Sequence, residues 1–188
     1  MKKKITDLNA VAAVMDIVFQ QVEERWPEIW NPVVEALNAR RIPHASHEFV
    51  RFNYSLAVLA INFRSAFDIF PRDQAEHLFT HFQRLLKKNL GDGAGFHAVQ
   101  NSVVKYIDAY NNGILNIRNP IHDVAMLLYY KIGMDNTEQK VVDEAYYIPE
   151  PKIVEYLTKS LTLFTGKWEM LLGKYEVVFS SGRAPNDP

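Results

Sequence analysis

The stretch YSLAVLAINF (Tyr54–Phe63) is the most apolar in the chain and lies between Arg51 and Arg64. It is too short to cross a bilayer, which takes roughly 20 residues. Outward from it, Phe49, Phe52, Leu56, Leu59, Phe63 and Phe67 recur at helical spacing, and Val58 and Ile61 broaden the stripe. A helix that is apolar over most of its circumference is buried on several sides. The expectation is a central helix over 46–69, stopped by Pro71, with the rest of the chain packed around it.

The flanking segments carry the same period. Leu8, Val11, Met15, Val18 and Val22 form one stripe, with Ala12 and Phe19 beside it. Asp7 is placed to cap this helix, and Pro27 predicts its end near Trp26. Asn31-Pro32 then opens a short helix over 32–41, with Trp26, Ile29 and Trp30 anchoring the corner. Asp73 restarts a helix running to Leu90, and GDGAG (Gly91–Gly95) breaks it. A helix from Phe96 to Tyr110 should close at Asn111-Asn112-Gly113. Asn119-Pro120 opens another, stopped by Gly133. Asp135 to Glu138 has capping-box form and predicts a further short helix. After the Pro149–Pro151 break, one long helix is expected over 151–173, with Ile153, Tyr156, Leu157, Leu161, Phe164 and Trp168 inward. Only YEVVF (Tyr175–Phe179) has strand character. The fold class is therefore all-α: a single compact domain of six to eight helices over 1–180, followed by a flexible tail over 181–188.

Composition removes several functions. The net charge is −1, with basic and acidic residues spread through both halves, so no basic block points to nucleic acid or an anionic membrane. There is no cysteine, which excludes disulfides, thiolate metal sites and cysteine nucleophiles. Lys2, Lys3 and Lys4 start the chain as a signal peptide would, but Asp7, Asn9 and Asp16 interrupt the apolar core such a peptide needs. A cytoplasmic protein is expected.

The first chemical candidate is EHLFTHF (Glu76–Phe82), which sets His77 and His81 four residues apart, on one flank of a helix. Ala75, Leu78, Phe79, Phe82, Leu85 and Leu86 make the apolar face. With about 100° per residue, His77 falls nearly opposite its centre and His81 near its edge. Asp73 extends the polar stripe. The ordinary reading is a solvated flank. A zinc site would need a third ligand, for which His44 and His47 are the candidates.

The second candidate is IRNPIHD (Ile117–Asp123), where Arg118, Asn119, His122 and Asp123 surround a helix N-terminus. Arg118 and His122 there could hold phosphate or assist phosphodiester cleavage. Their spacing is one residue short of the Arg-to-His motif of the HEPN family of all-helical ribonucleases. The glycines of GDGAGFHAV lack the strand and lysine of a phosphate-binding loop, and His97 beyond them reads as a surface or packed residue.

No cofactor is expected from these motifs; a divalent transition metal on the histidines is the alternative. The leading expectation is a non-enzymatic interaction module with a protein partner or a second copy of itself, through Tyr129-Tyr130, Tyr146-Tyr147 and Val177 to Phe179. Nucleic acid and membrane are not expected as partners. The enzymatic alternative is a metal- or His/Arg-dependent hydrolase of a phosphate-containing substrate. A third is a small-ligand sensor with an interhelical pocket around Phe63, Phe67 and Tyr106.

Overall fold

The computed structural model describes residues 2–39, 44–133 and 150–180. The expected short helix at Asp135–Glu138, the Tyr146-Tyr147 pair and the 181–188 tail lie outside these residues. Seven helices are described: α1 (Asp7–Ala39), α2 (His47–Ile69), α3 (Arg72–Leu90), α4 (Ala94–Leu115), α5 (Pro120–Gly133), α6 (Pro151–Thr162) and α7 (Lys167–Lys174). Two short strands, β1 (Lys3–Thr6) and β2 (Tyr175–Val178), complete the all-α domain. No helix among the described residues is long and apolar enough to cross a membrane.

The central helix forms where its sequence places it. Ser46 accepts the Phe49 N–H as its N-cap, and residues 53–63 are buried without a break. α2 packs against α1, α3, α4, α5 and α7. The outer members of its aromatic stripe, Phe49, Phe52 and Phe67, are exposed, because the neighbouring helices cover only the middle of α2. Phe63 stacks on Phe82 at 4.2 Å and meets Trp168 edge-on, and Tyr106 is fully buried.

Three expected boundaries are corrected. The first is at the prolines: α1 is one helix that contains both Pro27 and Pro32. Each proline removes the donor that would serve the carbonyl four residues back. At Pro32 that carbonyl belongs to Glu28, and it accepts instead from the Tyr156 hydroxyl at 2.7 Å. Stacking of Trp26 on Trp30 at 5.7 Å holds the intervening turn in the core.

The second correction splits the last helix. α6 ends at Thr162, and α7 starts after Gly166, whose left-handed φ of 76° turns the chain. Asn62 of α2 satisfies the break from inside. Its amide donates to the Phe164 carbonyl at 2.9 Å, its side-chain oxygen accepts the Lys167 N–H at 3.0 Å, and its own carbonyl accepts the Trp168 indole N–H.

The third correction concerns α4, which runs through Gly113. A Cβ there would lie 2.5 Å from the Pro120 Cα, so Gly113 serves the close approach of α5 rather than the stop. The stop is Ile117, held at φ 54°. The Arg118 N–H reaches the Gly113 carbonyl and the Ile117 N–H the Ile114 carbonyl, as in a Schellman motif.

The strand-like YEVVF pairs in parallel with β1, in the register Lys3↔Tyr175, Lys4↔Glu176, Ile5↔Val177 and Thr6↔Val178. Ile5, Tyr175, Val177 and Phe179 pack against the core. This ribbon sets residues 179 and 180 beside the first turn of α1.

Candidate metal centre

Asp7 does not cap α1 in the expected way. Thr6 takes that place, its hydroxyl accepting the Asn9 N–H at 3.3 Å. The Asp7 carboxylate turns inward, with its side chain 3% exposed. Oδ1 accepts the Leu8 N–H at 2.7 Å. Oδ2 accepts the Ser180 hydroxyl at 2.8 Å and the Ser180 N–H at 3.1 Å.

The same Oδ2 meets both histidines of α3. His77 Nε2 lies 2.9 Å from it, His81 Nε2 lies 3.6 Å from it, and the two Nε2 atoms are 3.1 Å apart. The wheel placed His81 at an edge and His77 outward. In the fold His81 is buried, with its side chain 10% exposed, and His77 keeps 36%. A wheel measures a helix against its own apolar arc; here α1 and the β2 end cover the adjoining flank, with the Phe179 ring 6.5 Å from His77.

Among the described residues, Asp7, His77 and His81 are the side chains whose ligand atoms gather closely enough to hold one metal ion. Their three separations bracket the edge of a zinc tetrahedron, roughly 3.3 Å for bonds of 2.0–2.1 Å. The donor set is two imidazoles and one carboxylate, which suits zinc and also non-haem iron.

Protons satisfy this triangle poorly. If His77 Nε2–H donates to Asp7, His81 Nε2 either donates to the same oxygen over a long 3.6 Å or accepts, with its proton on Nδ1. That atom is buried and has no hydrogen-bond partner in the fold. If His81 Nε2–H donates to His77 instead, two lone pairs face each other across 2.9 Å at Asp7. A cation at the centre would be met by one lone pair from each of the three atoms, with the imidazole protons on Nδ1 and that of His81 still buried without a partner.

Electrostatics favour the forms of Asp7 and His81 that could bind a cation. Burial opposes ionisation of Asp7, but the Ser180 and Leu8 hydrogen bonds and the charge of His81 hold its carboxyl down at about 2. Burial lowers the His81 imidazole below its ordinary value; Asp7 pulls it back up in part, while His77 and Arg84 push it further down.

The other sequence candidates lie elsewhere. His47 accepts the Trp26 indole N–H, and His44 meets Trp30 edge-on at 5.6 Å, so neither joins the triangle. Both belong to an aromatic corner between α1 and the start of α2. Arg118 pairs with Asp123 at 2.8 Å, and His122 Nδ1 lies 3.6 Å from the same carboxylate. Asn119 Oδ1 accepts the Ile121 N–H and so caps α5. His122 also lines a groove of about 560 Å³ between α5 and α6. His97 is exposed, with its ring 5.5 Å from Phe96.

Two residues of the centre were not singled out for it from the sequence. The sequence offers Asp7 as a helix cap and gives Ser180, the last residue before the expected tail, no role. The one local signal was the strand character of YEVVF, whose pairing with Lys3–Thr6 brings the two residues together. Comparison with models of known protein families, with curated proteins and with solved structures found no match.

Proposed function

We propose that this protein binds one divalent transition metal through Asp7, His77 and His81, and that the centre serves metal-assisted hydrolysis. The observation that carries the reading is the convergence of Oδ2 and two Nε2 atoms within 2.9–3.6 Å, from ligands 70 residues apart in the chain. Three protein ligands are the number found in catalytic zinc sites, where a fourth position is left for water; a metal there acidifies that water toward a pKa of about 7. The accessible side of His77 supports an open position. Arg84 is exposed on the next turn of α3, and its charge acts on His81, which favours an anionic substrate such as a phosphate ester. The lack of cysteine is compatible with a cytoplasmic setting.

Elemental analysis of protein purified without a polyhistidine tag tests the metal. About one zinc, iron or manganese per chain is expected, and His77→Ala should lose it. A chain that takes up no metal under zinc titration ends this reading. Phosphatase or phosphodiesterase activity that survives His77→Ala but not His122→Ala would move the chemistry to Arg118 and His122.

A second reading, association with a protein partner or a second copy, is supported by the end of α4. Leu115 is 78% exposed and Ile117 97% exposed, with Ile114 beside them. Apolar side chains grouped this way are a feature of contact surfaces. Tyr129 is buried and Val178 is exposed, so the surface expected from the sequence contributes only in part. Sedimentation equilibrium at high concentration tests this reading; a strict monomer removes self-association.

A further inference from the structure

The Asp7 carboxylate is held from two sides of the chain. Leu8 fixes Oδ1 from within α1, and Ser180 supplies two donors to Oδ2 from beyond β2. The register ends at Thr6↔Val178, which sets Ser180, two residues past β2, within hydrogen-bond reach of Asp7, one residue past β1. A two-stranded ribbon with four residues per strand is marginal by itself. Its docking relies on side-chain packing, including Phe179 edge-on to Phe70 at 5.9 Å, and on the Ser180 bonds to Asp7.

Groups that hydrogen-bond a metal ligand fix its rotamer and its affinity; removing one costs about 10–100-fold in metal binding. Oδ2 is both the atom Ser180 holds and the atom that faces the two histidines. With β2 undocked, Asp7 loses both Ser180 donors and with them the constraint that aims Oδ2 at His77 and His81.

We propose that Ser180 is a positioning residue of the metal centre, so that metal loading and docking of β2 on β1 form one coupled equilibrium. This rests on the metal reading above. Coupling between two events is reciprocal: the factor by which docking tightens metal binding is the factor by which metal suppresses undocking. The ribbon is then a latch that metal closes. A purely structural Ser180 would pin the ribbon equally well with and without metal and would leave metal affinity alone.

The test uses the full chain, stripped of metal, with zinc as the calorimetric titrant and cobalt as the spectroscopic one. Ser180→Ala should bind zinc about tenfold more weakly, the low end of the range because its N–H remains. Ser180→Thr, which keeps the hydroxyl, should restore most of the affinity. Zinc should slow amide exchange across Tyr175–Val178 in the wild type and slow it less in Ser180→Ala. Far-UV spectra and melting of the metal-free proteins show whether each variant is folded. Wild type and Ser180→Ala binding zinc within about twofold of each other, with His77→Ala failing to bind, would overturn this proposal and leave the metal reading standing. Unchanged β2 exchange on zinc binding would overturn it as well. A wild type that binds neither zinc nor cobalt removes both.

Discussion

Asp7 Oδ2 and His77 Nε2 lie 2.9 Å apart, at the start of α1 and in the second turn of α3. The Asp7 carboxylate has an acid dependence whose direction is fixed, against burial, by its Ser180 and Leu8 hydrogen bonds and by His81. The Asp7 carboxyl is held at about 2 in the fold against an ordinary 3.8, so its stabilisation is complete above about pH 4 and is lost as pH falls toward 2. A shift of that size is worth about 2 kcal/mol. The His81 imidazole is also lowered, by burial first, so the unfolded chain takes up its proton before the folded one. Stability from His81 is lost as pH falls below about 6.5. Urea unfolding of metal-free wild type and Asp7→Asn should show a stability difference that shrinks by about 2 kcal/mol between pH 4 and 2. A difference that stays constant over that range contradicts the assignment.

The Tyr156 hydroxyl replaces the donor that Pro32 lacks. Tyr156→Phe should cost about 1 kcal/mol, since the Glu28 carbonyl keeps some access to water. In a Pro32→Ala background the backbone N–H restored at that position can serve Glu28 within the helix. There Tyr156→Phe should cost much less. A double-mutant cycle by urea denaturation measures the coupling, and additive effects would refute the substitution of one donor for the other.

Asn62 is fully buried and bridges α2 to the α6–α7 break. Asn62→Ala leaves the Lys167 N–H and the Phe164 carbonyl unpaired in the core. At about 1–3 kcal/mol for each orphaned group, a loss of about 3–5 kcal/mol is expected. Calorimetric melting reads it directly. A loss below about 1 kcal/mol would mean that water or a local shift serves these groups.

The end of α4 makes two opposite predictions. Gly113→Ala drives a Cβ against the Pro120 backbone and should destabilise by about 1–3 kcal/mol. Ile117→Gly relieves a β-branched residue in the left-handed region and should stabilise by up to about 1 kcal/mol. The same variant removes the most exposed apolar side chain of the described residues, so any self-association through this end should weaken. Melting temperature and sedimentation separate the two effects.

Much of the helical architecture could be read from local pattern. The aliphatic run of α2, the Gly91 break and the Asn119-Pro120 start act within a few residues of themselves, and they stand where they were expected. Two of the three boundaries that failed were decided by partners far away in sequence, and the third by the packing of α5 on α4. Pro32 orphans the Glu28 carbonyl inside α1, and Tyr156, 128 residues from Glu28, supplies the missing donor. Nothing local in the 151–173 segment shows that Asn62 waits to satisfy a turn there. Gly113 looks like a stop until Pro120 is seen against it.

The candidate centre divides in the same way. The sequence by itself determined that His77 and His81 share one flank of a helix, because a pitch of 3.6 residues fixes that for any i,i+4 pair. It also determined that no thiolate could join them. Only the tertiary structure decided whether the flank faced water or the Asp7 carboxylate. The packing of α1 on α3 brings Asp7 to His77 across 70 residues of chain, and the parallel pairing of Lys3–Thr6 with Tyr175–Val178 brings Ser180 to Asp7 across 173. Helical periodicity is a property of neighbours along the backbone. A ligand set drawn from three distant segments is a property of how their apolar faces pack, and no single segment carries it.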